Sequence, residues 1–288
     1  MPVLISRRAA LAAALLAASG GAPRRAWAED SAFRALERRH GGRLGVAVLD
    51  TGSGRRMAHR PEERFAMAST FKFLAAAFVL ARCDKGEERL QRRIAFAQQD
   101  LVTYSPITEK HIGEGGMAMA ELCEAAVTLS DNTAANLLLA SFGGPAGLTA
   151  YVRSLGDDTT RLDRIETALN EATPGDPRDT TTPAAMLGTM QKLLVGKALS
   201  RASREQLTAW LVANKTGDQR LRAGVPQGWR VGDKTGTGEN GAANDVAVVW
   251  PANGAPLVVS AYFAEAQMSP EGRNAVLAEV GRLVSALG

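Results

Sequence analysis

The sequence predicts an α+β protein of two domains, an antiparallel sheet with flanking terminal helices beside an all-helical domain. Three observations carry this. Strand-like apolar runs stand at both ends of the chain, helical periodicity fills the middle, and Gly/Asn-rich turns separate the late strands. Neither set of strands is large enough for a good sheet alone, so the two are expected to pair. That gives a discontinuous sheet domain from residues 29–66 and 215–288 and a helical domain from residues 67–214. The cleft between them is the default site.

Taken in order, "LGVAVLDT" (44–51) reads as a buried strand, Gly52-Ser53-Gly54 as a turn, and Arg55–His59 as the returning hairpin partner. From Ser69 the text turns helical. "STFKFLAAAFVLARCDKG" is rich in Ala, Leu and Phe, and "MAELCEAAVTLS" and "NTAANLLLASFGG" follow, the latter closed by paired glycines. Thr182-Pro183 offers an N-cap with proline at the first helical position, opening "AAMLGTMQKLLVG". "SREQLTAWLVANKTG" is a further helix, with Gly217 expected just past its C-terminus. Strands return as "WRVGDKTGTG", "NDVAVVWP" and "APLVVSAYFAE", and "SPEGRNAVLAEVGRLVSAL" closes the chain as an amphipathic helix.

The first 28 residues differ from the rest. A basic start, an apolar run from Ala9 to Ala18 and Ala26-Trp27-Ala28 predict a signal peptide cut before Glu29. The run is too short to span a bilayer. Export to the periplasm or medium is expected, and Ser6-Arg7-Arg8 also suits a twin-arginine route. The basic pI of 9.3 is a property of this leader. The chain has 34 Lys+Arg and 30 Asp+Glu, and the leader holds four of the arginines (Arg7, Arg8, Arg24, Arg25) and no acid, leaving 30 of each. The mature chain therefore carries no electrostatic case for nucleic acid or a membrane surface. Nothing in the sequence calls for an obligate partner, so a monomer is expected.

Three short motifs carry chemistry. Ser69-Thr70-Phe71-Lys72 is S-x-x-K, and at a helix start it puts serine and lysine on one face, with free N–H groups near the serine. Ser130-Asp131-Asn132 lies between two helical runs, where it also reads as a capped turn. Lys-Thr-Gly occurs twice. Lys215-Thr216-Gly217 reads as a helix end leading into Arg220, whereas Lys234-Thr235-Gly236 lies in a strand followed by Thr237 and Gly238. Each motif alone is common. His40, His59 and His111 lie outside all of them, and no G-x-S-x-G, H-E-x-x-H or P-loop is present. No metal or cofactor is expected.

The order S-x-x-K, S-D-N, K-T-G resembles the penicilloyl-serine transferase superfamily, which holds penicillin-binding proteins and serine β-lactamases. Within it, Glu166-Thr167-Ala168-Leu169-Asn170 matches the E-x-x-L-N of class A β-lactamases, and the likeness runs over about residues 29–288, including Tyr104-Ser105-Pro106. The resemblance implies hydrolysis of a β-lactam ring through an acyl-enzyme on Ser69. Ser130 would relay a proton, with Lys72 and Lys234 beside it, and a neighbouring cation would lower the Lys72 pKa. The N–H groups of Ser69 and Thr237 would form the oxyanion hole. Glu166 and Asn170 would hold the deacylating water, Lys72 and Glu166 both being candidates for the acylation base. Tyr104, Asn132, Thr235, Gly236 and Gly238 would line the substrate subsite. Arg164 and Asp179 would pin the ends of the omega loop. Many members carry an arginine on the strand after Lys-Thr-Gly. Here that stretch reads "GAAND", and Arg220 is expected to supply the guanidinium instead. The family's frequent disulfide joins the position of Cys123 to the position of Ala76. Cys83 lies seven residues beyond Ala76, about 10 Å along a helix, so both thiols are expected to be free. A D-alanyl-D-alanine peptidase of the superfamily shares the first three motifs but lacks E-x-x-L-N, and a β-lactam sensor domain, which stays acylated, needs a membrane span to signal that the sequence after the leader does not offer.

Overall fold

The computed structural model describes residues 28–29, 31–113 and 115–286. The expected leader lies outside the described residues but for Ala28. In chain order the elements are β1 (Ala28–Glu29), α1 (Ser31–His40), β2 (Arg43–Asp50), β3 (Arg56–His59) and β4 (Phe65–Ala66). A 3-10 turn, Ala68–Thr70, leads into α2 (Phe71–Asp84). Next come β5 (Arg93–Ile94), β6 (Met117–Ala118), α3 (Met119–Thr128), α4 (Asn132–Ser141) and α5 (Gly144–Ser154). They are followed by β7 (Thr180–Thr181), α6 (Pro183–Met190), α7 (Arg201–Val212) and α8 (Leu221–Gly224). The chain ends in β8 (Arg230–Thr237), β9 (Ala243–Trp250), β10 (Leu257–Ala264) and α9 (Pro270–Ser285).

The early and late strands do pair. The main sheet runs β1-β3-β2-β10-β9-β8. Antiparallel pairing holds throughout except at the edge, where β1 lies parallel to β3. The antiparallel sheet expected is thus formed by β3, β2, β10, β9 and β8. β1 adds two residues to the free edge of β3, Ala28 opposite Met57 and Glu29 opposite Ala58. The sheet has two covered faces. Val46, Val48, Ala247, Val249, Val259 and Phe263 belong to a core shared with α1 and α9, and Ala47, Leu49, Val246, Val248 and Tyr262 face a core shared with the central helices. Covering both faces removes the polar alternation of a half-exposed strand, hence the near-continuous apolar run in β2. The α+β class read from the sequence holds.

α2 is buried along almost its whole length, Lys72 included, so its low amphipathicity is that of a core helix. Thr182 caps α6 as expected, its Oγ1 accepting the Ala185 N–H at 3.2 Å. α4 ends at the paired glycines, and Gly143 takes φ of 91°. α5 then begins at once. The sequence reading does not anticipate it, because its "GPAG" opening is weak in helix propensity. Gly217 does not cap α7, which ends at Val212 with Ala213 as its cap. The reason for glycine at 217 is space, because a Cβ there would overlap the Asp233 carboxylate and crowd Asn214. Cys83 and Cys123 are both free, and burial pushes the Cys123 thiol well above its ordinary value.

Candidate active site

The N-terminal turn of α2, the α3–α4 corner, the 161–181 loop and the edge strand β8 converge on one cleft. A cavity of about 330 Å³ is lined there by Ser69, Tyr104, Ser130, Asn132, Asn170, Thr216, Arg220 and Thr235 to Thr237. Serine and lysine of S-x-x-K face the same way because the 3-10 turn feeds directly into the helix. Lys72 is fully buried and Ser69 nearly so.

Glu166 is the hub. Its Oε1 accepts from Ser69 Oγ at 3.2 Å and lies 2.9 Å from Lys72 Nζ, and its Oε2 accepts from Asn170 Nδ2 at 2.6 Å. Lys72 Nζ also donates to Asn132 Oδ1 at 2.5 Å and to the Ser130 carbonyl at 2.8 Å. Lys234 Nζ donates to Ser130 Oγ at 3.0 Å and to the Thr235 carbonyl at 2.8 Å. Ser130 is held with φ of 59°, which turns its hydroxyl between the two ammonium groups.

Burial lowers the Lys72 pKa, and the Glu166 carboxylate opposes the shift. The direction matches expectation but the cause does not, since desolvation and not a neighbouring cation dominates. Lys234 is the lysine that a like charge affects. Burial, then the nearby Lys72 ammonium, push it well below its ordinary value.

Asn132 donates its Nδ2 to the Thr103 carbonyl at 2.7 Å, which leaves its second amide hydrogen for the cleft. Tyr104 has φ of 64° and a ring 56% exposed at the rim. The Arg220 guanidinium reaches the strand as expected. It donates to the Gly236 carbonyl at 2.8 Å, the Asn244 carbonyl at 2.7 Å and Thr237 Oγ1 at 2.6 Å. The first Lys-Thr-Gly copy touches the second, Thr216 Oγ1 lying 2.5 Å from Thr235 Oγ1. Gly236 and Gly238 are both places of close approach. A Cβ on Gly236 would stand 2.6 Å from the Met67 carbonyl, and one on Gly238 would stand 2.9 Å from that of Asn170.

Arg164 and Asp179 pair across the base of the 161–181 loop, Nε to Oδ2 at 2.6 Å. Asp179 is buried, and its Oδ1 accepts the N–H groups of Asp163 and Arg164 at 2.7 and 2.9 Å. The sequence reading misses Asn136. Its side chain clasps the Glu166 backbone, accepting that N–H at 2.9 Å and donating to that carbonyl at 2.9 Å. The available signal was its place one turn after Asn132, on the same face of α4. No grouping of His, Cys, Asp and Glu suited to a metal ion occurs among the described residues.

All the sequence-derived site residues thus gather at this cleft or brace the loop that closes it. Comparison with known proteins identifies the family. The sequence model described as the Beta-lactamase enzyme family matches residues 29–287. The chain is 50% identical to Beta-lactamase CTX-M-97 of Escherichia coli over 253 residues, 88% of this chain and 87% of that protein. It is 49% identical to Beta-lactamase OXY-1 of Klebsiella oxytoca over 277 residues, 96% and 95% of the two. Among solved structures, an ancestral class A β-lactamase superimposes with a TM-score of 0.88 at 66% identity, over 89% of this chain and 98% of that one. A putative class A β-lactamase, PenP from Rhodopseudomonas palustris, gives 0.88 at 62% identity with the same coverage. The chain therefore belongs to the beta-lactamase enzyme family, among its class A members.

Proposed function

We propose that the protein hydrolyses the β-lactam ring of penicillin- and cephalosporin-type antibiotics through an ester on Ser69, and so confers resistance. The observation that carries this is the position of Glu166 Oε1, 3.2 Å from Ser69 Oγ and 2.9 Å from Lys72 Nζ. Ser69 Oγ can give up its proton to this Glu166–Lys72 pair, either member of which can act as the base, as Oγ bonds the lactam carbonyl carbon. The lactam C–N bond then breaks and its nitrogen takes a proton from Ser130 Oγ. The Ser69 proton replaces it through Lys72 Nζ, 3.4 Å from Ser130 Oγ, so that Glu166 is again a carboxylate before the second step. The N–H groups of Ser69 and Thr237 receive the oxyanion, a role worth about 3–4 kcal/mol per donor in comparable sites. Asn132 takes the substrate amide, and Thr235, Thr237, Ser130 and Arg220 take its carboxylate. In the second step Glu166, steered by Asn170, removes a proton from water as it attacks the ester, and Ser69 leaves with its proton restored.

The enzyme acts as a monomer exported by its leader, without metal. Among the described residues no helix is long and apolar enough to cross a membrane. The test is mass spectrometry of Glu166→Ala with a penicillin. The variant is expected to hold a stable adduct on Ser69 while the parent turns over and retains activity in chelator. A parent that itself stays acylated would indicate a peptidase or sensor, and a variant with normal turnover would remove Glu166 from the second step.

A further inference from the structure

Asn244 stands where three walls of the cleft meet. It is buried to 1% exposure and pairs with Gly236 across the β8–β9 ladder, between Thr235 and Thr237. Its side-chain Nδ2 leaves the sheet and donates to the carbonyls of Ala66 at 2.9 Å and Met67 at 3.1 Å, the residues that lead into the turn bearing Ser69. Its backbone carbonyl accepts from Arg220 Nη1 at 2.7 Å. One residue thus ties the nucleophile's strap to the strand that carries Thr237, and bears on the guanidinium as well.

The gap it spans is the width of the oxyanion hole, because Ser69 and Thr237 supply their N–H groups from opposite sides of it. The gap is already at contact, as a Cβ on Gly236 would stand 2.6 Å from the Met67 carbonyl and 3.2 Å from Asn244 Nδ2. The Met67 carbonyl is also fixed from its own side, accepting from Thr70 Oγ1 at 2.9 Å, and Met67 N–H donates to the Asp179 carbonyl at 2.9 Å. Among the described residues the Asn244 amide is what joins this strap to β9 by side-chain hydrogen bonds, and without it two carbonyl oxygens would lose a shared donor.

We propose that Asn244 is a positioning residue for acyl transfer, its side-chain amide setting the separation of the Ser69 and Thr237 N–H groups. This rests on the reading of Ser69 as nucleophile and of those N–H groups as the oxyanion hole. Misplacement by a fraction of an ångström to 1 Å costs on the order of ten- to a hundredfold in rate.

The test uses Asn244→Asp, which keeps the volume and removes both N–H donors, beside Asn244→Ala. Each is made alone and in the Glu166→Gln background, where the ester accumulates. The single variants are expected to lose about ten- to a hundredfold in acylation rate and in affinity for a boronic acid that forms a tetrahedral Ser69 adduct. In the double variants, infrared difference spectra should place the ester carbonyl stretch at higher frequency than in Glu166→Gln, reporting weaker polarisation. A general loss of packing would lower the melting temperature without moving that band. An unmoved band, unchanged boronate affinity, or failure of both variants to fold would overturn the proposal. Absence of any ester in Glu166→Gln together with absence of a boronate adduct on Ser69 in the parent would instead overturn the nucleophile assignment on which it rests.

Discussion

Replacing Asn136 with alanine separates the placing of Glu166 from its chemistry. Two reciprocal bonds, each 2.9 Å, join the Asn136 amide to the Glu166 N–H and carbonyl. At about 1 kcal/mol net per bond the loss is about 2 kcal/mol, rising to about 4 kcal/mol if the freed backbone groups stay shielded from water. The loop keeps its Arg164–Asp179 pair at the base, so the loss is local to the segment bearing the carboxylate. If about 2 kcal/mol of ordering must be supplied on each turnover, deacylation slows about 30-fold. The assay is stopped-flow with a chromogenic cephalosporin. The parent is expected to show a linear trace. Asn136→Ala is expected to show a burst approaching one equivalent per enzyme, followed by the slowed steady rate. Urea melts of both proteins report the stability term in parallel. A variant that loses activity without a burst would place the defect in acylation and refute the reasoning, as would one with unchanged steady-state rate.

Arg220→Ala should act mainly on binding. It removes a charge-assisted contact of the kind worth about 1.5–3 kcal/mol, so KM for carboxylate-bearing substrates should rise about 10- to 150-fold. A substrate with that carboxylate esterified should discriminate far less between parent and variant, and equal discrimination would remove Arg220 from the subsite. The pH profile tests the buried lysines. Lys234 and Lys72 both have pKa values lowered by burial from 10.5, so their ammonium forms are present at low pH and are lost as pH rises through the lowered values. The alkaline limb of kcat/KM should therefore fall below pH 10.5, and a limb at or above it would show that neither lysine titrates as the geometry requires.

The sequence by itself determined the family, the candidate site residues and most of the scaffold. The S-x-x-K, S-D-N, E-x-x-L-N and K-T-G residues that the proposed reaction uses are local strings, legible without the fold. The apolar runs of β2, β9 and β10 and the Thr182-Pro183 cap are equally local signals. It also distinguished the two Lys-Thr-Gly copies by their neighbours, although it gave Gly217 a helix-ending role in place of a packing one. Only the tertiary structure decided how those residues are aimed. Asn136 holds a backbone 30 residues away and Asn244 one 178 residues away, and even a place one helical turn from Asn132 does not say which distant backbone an amide will meet. The same holds for the lowered Lys72 pKa, whose cause is burial, a property of how α2 is packed rather than of the residues beside it in the chain. Local spacing fixes which face a side chain shares, while long-range packing fixes what lies opposite that face, and catalysis depends on both.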